Sequence, residues 1–174
     1  PDQLTRLVAK LADLLQESDQ ESSDRIPTFF EITTLLAWMM FDEEKVEIAV
    51  LETGLGGRLD CTNVCRPLVT VLTSIGLDHT HILGDTISLI AAEKAGILKA
   101  GVPVVQGQLP EVAELVVTAR ASELECRQFI CGREFAWHVD HNDNQLSGRK
   151  RSQKIFVLTP SASYDGLTVP LLGN

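Results

Sequence analysis

Three short runs constrain this chain more than any other feature: "KVEIAVLE" at 45–52, "PLVTVLTSI" at 67–75 and "PVVQG" at 103–107. The first two are rich in Val, Ile and Leu with little polar alternation, the pattern of strands covered on both faces, and such strands are usually parallel. The third gives another short buried strand. A helical pattern runs from 86 to 99, stopped by Gly101 and Pro103, and a second from Pro110 to Glu125. Strand and helix alternate, as in an open α/β sheet.

At the start, Leu4, Leu7, Val8, Leu11, Leu14 and Leu15 recur at helical spacing and predict an amphipathic helix, followed by a polar loop in "ESDQESSDR". Thr28 and Glu31 predict a capping box before "FFEITTLLAWMMF", a helix apolar nearly all round and suited to burial between other elements. From about residue 127 the character changes. "RQFICGREFAWHV" and "KIFVLTPSASYDGLTVPLL" read as strands with turns, separated by the polar "DHNDNQLSGRKRSQ", and predict an antiparallel meander. The expected fold class is therefore α/β: a three-layer, mostly parallel sheet flanked by helices, with a short antiparallel meander near the C-terminus.

Charge narrows the partners. With 24 acidic residues against 15 basic ones, the net charge of -9 argues against a general affinity for nucleic acid or anionic membrane. The basic cluster "GRKRSQK" reads as a solvated loop in an acidic chain. No apolar run approaches the roughly 20 residues that span a bilayer, and "PDQLTRLVAK" lacks the regions of a signal peptide, so the cytoplasm is the expected compartment. Cys61, Cys65, Cys126 and Cys131 are too few and too irregular for a disulfide framework and are read as reduced thiols.

The stretch "VLETGLGGRLDCTN" from Val50 to Asn63 ends an apolar run with a carboxylate and a glycine loop, yet no phosphate-cradling lysine follows. Glu52 stands at the end of the first predicted strand, and His79, in "SIGLDHTH", just past the second. If those strands are parallel, both side chains emerge at the carboxyl edge of the sheet, where open α/β sheets bind ligands. Lys94 falls near the centre of the stripe formed by Ile87, Ile90, Ala91, Ala95 and Leu98. An inward lysine there needs an anionic partner, a depressed pKa or a covalent modification, unless its stem snorkels to the edge of the stripe. Taken singly, Glu52 also reads as a surface ion-pair partner and His79 as a hydrogen-bonded loop histidine. Together a Glu and a His suit a hard divalent ion such as Mg²⁺, although imidazole is more usual for zinc. A zinc site from Cys126, Cys131, His138 and His141 has tighter spacing than zinc-finger patterns, and these read instead as strand and loop residues.

Three blocks, "VLETGLGGRLDCTNV", "SIGLDHTHILGDT" and "AAEKAGILK", resemble the middle of folylpolyglutamate synthase and dihydrofolate synthase, relatives of the Mur ligases, in the same order and at compatible spacing. The resemblance runs from about Pro27 to Gly107, with a weaker echo in "LTVPLLGN". It implies a fold like the Mur ligase central domain and a ligase that uses ATP to join L-glutamate to dihydropteroate or a folate. It further implies Mg²⁺ bound at Glu52 and His79, a carbamylated Lys94, and Asp60 and Cys61 near the pterin pocket. Asp78 is implicated beside His79, orienting the imidazole, contacting substrate or capping the turn. Cys61 stands where alanine is more usual in the family, and Thr53 where valine is common.

One departure is larger. The chain has no G-x-x-x-x-G-K-[ST] to hold ATP phosphates, so residues 1–174 are expected to be part of an N-terminal ATPase and pterin-binding domain, lacking the phosphate loop and the C-terminal domain and inactive alone. A monomer is expected. The rival expectations are a Mur-type ligase acting on a cell-wall precursor and a binding or scaffold module without chemistry.

Overall fold

A computed structural model describes residues 2–18, 27–140 and 153–169. The chain forms two compact units: Pro1–Leu55 with Leu59–Cys65, and Gly56–Arg58 with Arg66–Asn174.

The first unit is a helical pair followed by an irregular segment. Helix α1 (Asp2–Ser18) buries Leu7 and Leu11 from its apolar stripe. Helix α2 (Phe29–Glu43) begins with the expected capping box: the Thr28 N–H donates to Glu31 Oε2 at 2.7 Å, and the Glu31 N–H donates to Thr28 Oγ1 at 3.2 Å. Arg6 pairs with Glu43 at 2.7 Å, tying the start of α1 to the end of α2. Two expectations are corrected here. Helix α2 contains no fully buried residue, because its apolar surface runs all round while α1 covers one side. Residues 45–52 form no strand, and Ile48 and Val50 are 72% and 94% exposed. A strand requires a hydrogen-bonded neighbour, and among the described residues none pairs with this segment.

The second unit carries the expected parallel sheet. Strands β1 (Thr70–Leu72), β2 (Val104–Gln106) and β3 (Gln128–Ile130) lie in that order, with Thr70 beside Val104 and Val104 beside Gln128. Between β1 and β2 come a single turn, α3 (Thr80–Leu83), and helix α4 (Ile87–Ala95); helix α5 (Glu111–Glu123) connects β2 to β3. Leu72, Val104 and Ile130 point to one face and are buried with Ile90 and Ala91 of α4 and with Ala113 and Val117 of α5. Small residues on both helices bring their backbones close to the sheet. The helix expected over 86–99 ends instead at Gly96, because the glycine loop packs where its next turn would run.

Residues 128–130, expected in the antiparallel tail, instead extend the parallel sheet. Their backbone pairs with β2. The meander itself follows as expected: β4 (Ala136–Asp140), β5 (Gln153–Leu158) and β6 (Ser163–Val169) pair antiparallel in chain order. The loops "ESDQESSDR" (mostly), "DHNDNQLSGRKRSQ" (mostly) and the end "PLLGN" lie outside the described residues, as does His141. Among the described residues no helix is long and apolar enough to cross a membrane.

Candidate functional site

The glycine loop is organised by its own carboxylate. Asp60 Oδ2 accepts from the N–H groups of Gly54 at 3.0 Å and Leu55 at 2.9 Å, while Oδ1 accepts from the N–H of Thr62 at 2.9 Å and its hydroxyl at 2.6 Å. Successive N–H groups aimed at one point form an anion-binding concavity, and here Asp60 fills it. No phosphate is needed to satisfy these donors. Burial works to raise the Asp60 pKa, but the bond from the Thr62 side chain and those from the backbone of Leu55, Thr62 and Gly54 together outweigh it and hold the carboxyl below its ordinary value. Asp60 also caps the 3-10 turn Cys61–Val64.

Within the second unit, Gly56–Arg58 docks on the C-terminal end of α4. The last carbonyls of a helix lack intrahelical donors, and the Arg58 N–H reaches the Glu93 carbonyl at 2.9 Å. Gly56 takes φ +69°, a conformation open to glycine at no steric cost. A Cβ on Gly57 would lie 2.7 Å from the Glu93 carbonyl oxygen and 3.0 Å from that of Lys94. The glycines therefore permit close approach of two backbones.

Cys61 lies beside α2. Its thiol is 3.6 Å from Thr34 Oγ1, and with Glu31, Leu35, Trp38 and Val64 it lines an open cleft of about 380 Å³. Trp38 also lines a second cleft of about 240 Å³ whose walls include Phe30, Glu52 and Thr62. Of these α2 residues, Thr34, Leu35 and Trp38 escaped the sequence reading, which took the helix as core and Glu31 as its cap. The signal was the polar pair Glu31 and Thr34, three residues apart on an otherwise apolar helix, with Trp38 one turn further along the same face.

His79 follows the loop that leaves the carboxyl end of β1. It adopts the left-handed conformation at φ 49°, ψ 38°, and its carbonyl accepts from the N–H groups of Ile82 and Leu83. This conformation costs a non-glycine residue roughly 1–2 kcal/mol, and such outliers gather at functional sites. Asp78 Oδ1 accepts from the His79 N–H at 2.8 Å, and its Oδ2 lies 3.7 Å from His79 Nε2. Asp78 thus fixes the His79 backbone and stands beside its ring.

Lys94 sits in the last turn of α4 and is half-buried between Ile90, Ala91, Ala95 and Leu98, all buried. Its burial is intermediate, between the inward lysine and the snorkelling one that its place on the stripe allows. Among the described residues no carboxylate pairs with it. Glu52 is exposed, and its carboxylate has no hydrogen-bond partner among the described residues. It belongs to the first unit, whereas His79 and Lys94 belong to the second. No group of three or more His, Cys, Asp or Glu among the described residues is arranged to hold a metal. The other zinc candidates are engaged in the fold: Cys126 is buried with its thiol 3.3 Å from the Lys99 carbonyl, and His138 stacks on Phe156 across the meander.

No family model matches the chain. It is 40% identical over 132 residues to the mitochondrial folylpolyglutamate synthase of Homo sapiens, a match covering 75% of this chain and 22% of that one. It is 48% identical over 114 residues to the dihydrofolate synthase/folylpolyglutamate synthase of Bacillus subtilis, covering 64% and 26% respectively. In fold it is similar to an FPGS–AMPPCP–folate complex, with a TM-score of 0.86 at 36% identity over 98% of this chain and 40% of that one. The chain spans between 15% and 31% of the length of the curated relatives it matches.

Proposed function

We propose, for a chain that belongs to the folylpolyglutamate synthase/dihydrofolate synthase family, that it is part of a ligase joining L-glutamate to dihydropteroate or a folate at the expense of ATP. The observation that carries this reading is likeness in fold, over nearly the whole chain, to an FPGS complexed with AMPPCP and folate. Residues 1–174 then form part of an N-terminal ATPase and pterin-binding domain in a cytoplasmic, monomeric enzyme. The grip on the ATP phosphates comes from a segment outside this sequence.

In the proposed reaction a carboxylate of the acceptor takes the γ-phosphoryl of ATP and becomes an acyl phosphate. The amine of glutamate then attacks the acyl carbon, the C–O bond to phosphate breaks, and an amide, inorganic phosphate and a proton are released. Positioning and charge neutralisation dominate such chemistry.

Glu52 in the first unit offers an uncommitted carboxylate and His79 in the second an imidazole beside Asp78, donor types that suit a divalent cation of the Mg²⁺ class. Such a cation, held by these residues, would supply positive charge to offset that on phosphate oxygens. Asp78 holds the His79 backbone and orients its ring. Lys94, in its neutral form, adds its amine nitrogen to CO₂ and loses a proton, giving a carbamate whose oxygens replace a cation by an anion near the reacting groups. Asp60 shapes the glycine loop, and Cys61 with Trp38 and Thr34 offers a cleft wall suited to a flat heteroaromatic ring.

ADP formation by the full-length protein tests this. The expected result is ADP that requires both glutamate and a pteroate or folate acceptor and is lost in Glu52→Ala. ADP formation driven instead by a nucleotide-linked sugar peptide would move the chain to the Mur-type reading, and none with any acceptor would leave a scaffold.

A further inference from the structure

The latch between the glycine loop and helix α4 lies outside the residues given a chemical role above. Four features meet at one place. The Arg58 N–H donates to the Glu93 carbonyl at 2.9 Å. The Arg58 side chain donates from Nε at 3.1 Å and Nη2 at 3.0 Å to the same oxygen, Glu93 Oε1. Gly57 lies against the Glu93 and Lys94 carbonyls, and a Cβ on Gly96 would fall 2.3 Å from Arg58 Cβ. The Glu93 side chain is 28% exposed, so this ion pair is partly withdrawn from water.

An exposed ion pair alone contributes little. Here the guanidinium also sits at the negative end of α4, where a cation is favoured, and the main-chain bond fixes the geometry. The residue so clamped immediately precedes Lys94. We propose that Arg58 and Glu93 are positioning residues: they latch the glycine loop to the last turn of α4 and so set the place of Lys94 without touching substrate. This rests on the ligase reading and on Lys94 acting in it.

The test uses the full-length protein with Glu93→Gln, Arg58→Ala and Arg58→Lys, steady-state kinetics, thermal unfolding, and hydrogen exchange at the Arg58 amide. A displaced reacting group is read in kcat. Glu93→Gln and Arg58→Ala should each lower kcat by about 10-fold or more, with KM for acceptor and glutamate within about two-fold. The Arg58 amide should exchange faster while the melting temperature holds, and Arg58→Lys should recover part of kcat by keeping the charge. Unchanged kcat in both variants, or a loss matched by loss of folded protein, overturns the positioning role while the ligase reading stands. A wild type with no glutamate-dependent ADP formation overturns the ligase reading and this role with it.

Discussion

The Asp60 carboxylate accepts a hydrogen bond from the Leu55 N–H at 2.9 Å, so the loop that looks built for an external anion holds an internal one. Removing it should leave four donors without their acceptor. Asp60→Ala is expected to cost about 1–3 kcal/mol in denaturant unfolding, the range for a lost cap and lost bonds to a charged group. Because the folded pKa lies below the ordinary 3.8, this stabilisation is complete above that value and lost as pH falls through the folded pKa. Stability followed from pH 7 downward should therefore decline in strong acid, and Asp60→Asn should flatten that decline.

Glycine at 96 is dictated by the approach of Arg58. Gly96→Ala would bring a methyl to 2.6 Å from the Arg58 Cα, and overpacking of this kind costs about 1–3 kcal/mol. Gly76→Ala meets nothing within 4 Å and should change stability by less than about 0.5 kcal/mol. Paired unfolding curves for the two variants check the contrast.

Ile90 is fully buried where α4 meets the parallel sheet. Ile90→Ala should destabilise by about 2–5 kcal/mol in chemical denaturation, and it should loosen the helix that carries Lys94.

Glu52 is predicted to act through an ion. Mg²⁺ with AMPPCP should raise the melting temperature of the full-length protein, and the rise should shrink in Glu52→Ala and His79→Ala by mass action. Equal shifts in all three proteins would remove both residues from the metal site.

What the sequence made legible follows from which forces are local. Periodicity located α1, α2, α4 and α5, and the Thr28–Glu31 pair marked the start of α2, because both signals lie within a few residues. The runs at 67–75 and 103–107 announced the strands found at 70–72 and 104–106 for the same reason. Strand pairing is not local: 45–52 has the composition of a buried strand but no described neighbour, and 128–130 joins the parallel sheet although it resembles the tail. As candidate functional residues, Glu52, His79 and Lys94 stood out by position and resemblance. The clasp of Asp60 on the Gly54 and Leu55 amides and the Arg58–Glu93 latch depend on backbone geometry, which residue spacing does not encode.

Under the proposed function, the whole protein makes an amide between glutamate and a pteroate or folate. Mass spectrometry of the acceptor after incubation with ATP, Mg²⁺ and L-glutamate tests it most directly. The expected product is an acceptor heavier by one glutamyl residue or more, formed together with ADP and absent when glutamate is omitted. An unmodified acceptor, in the presence of a folded enzyme that binds ATP, would contradict it.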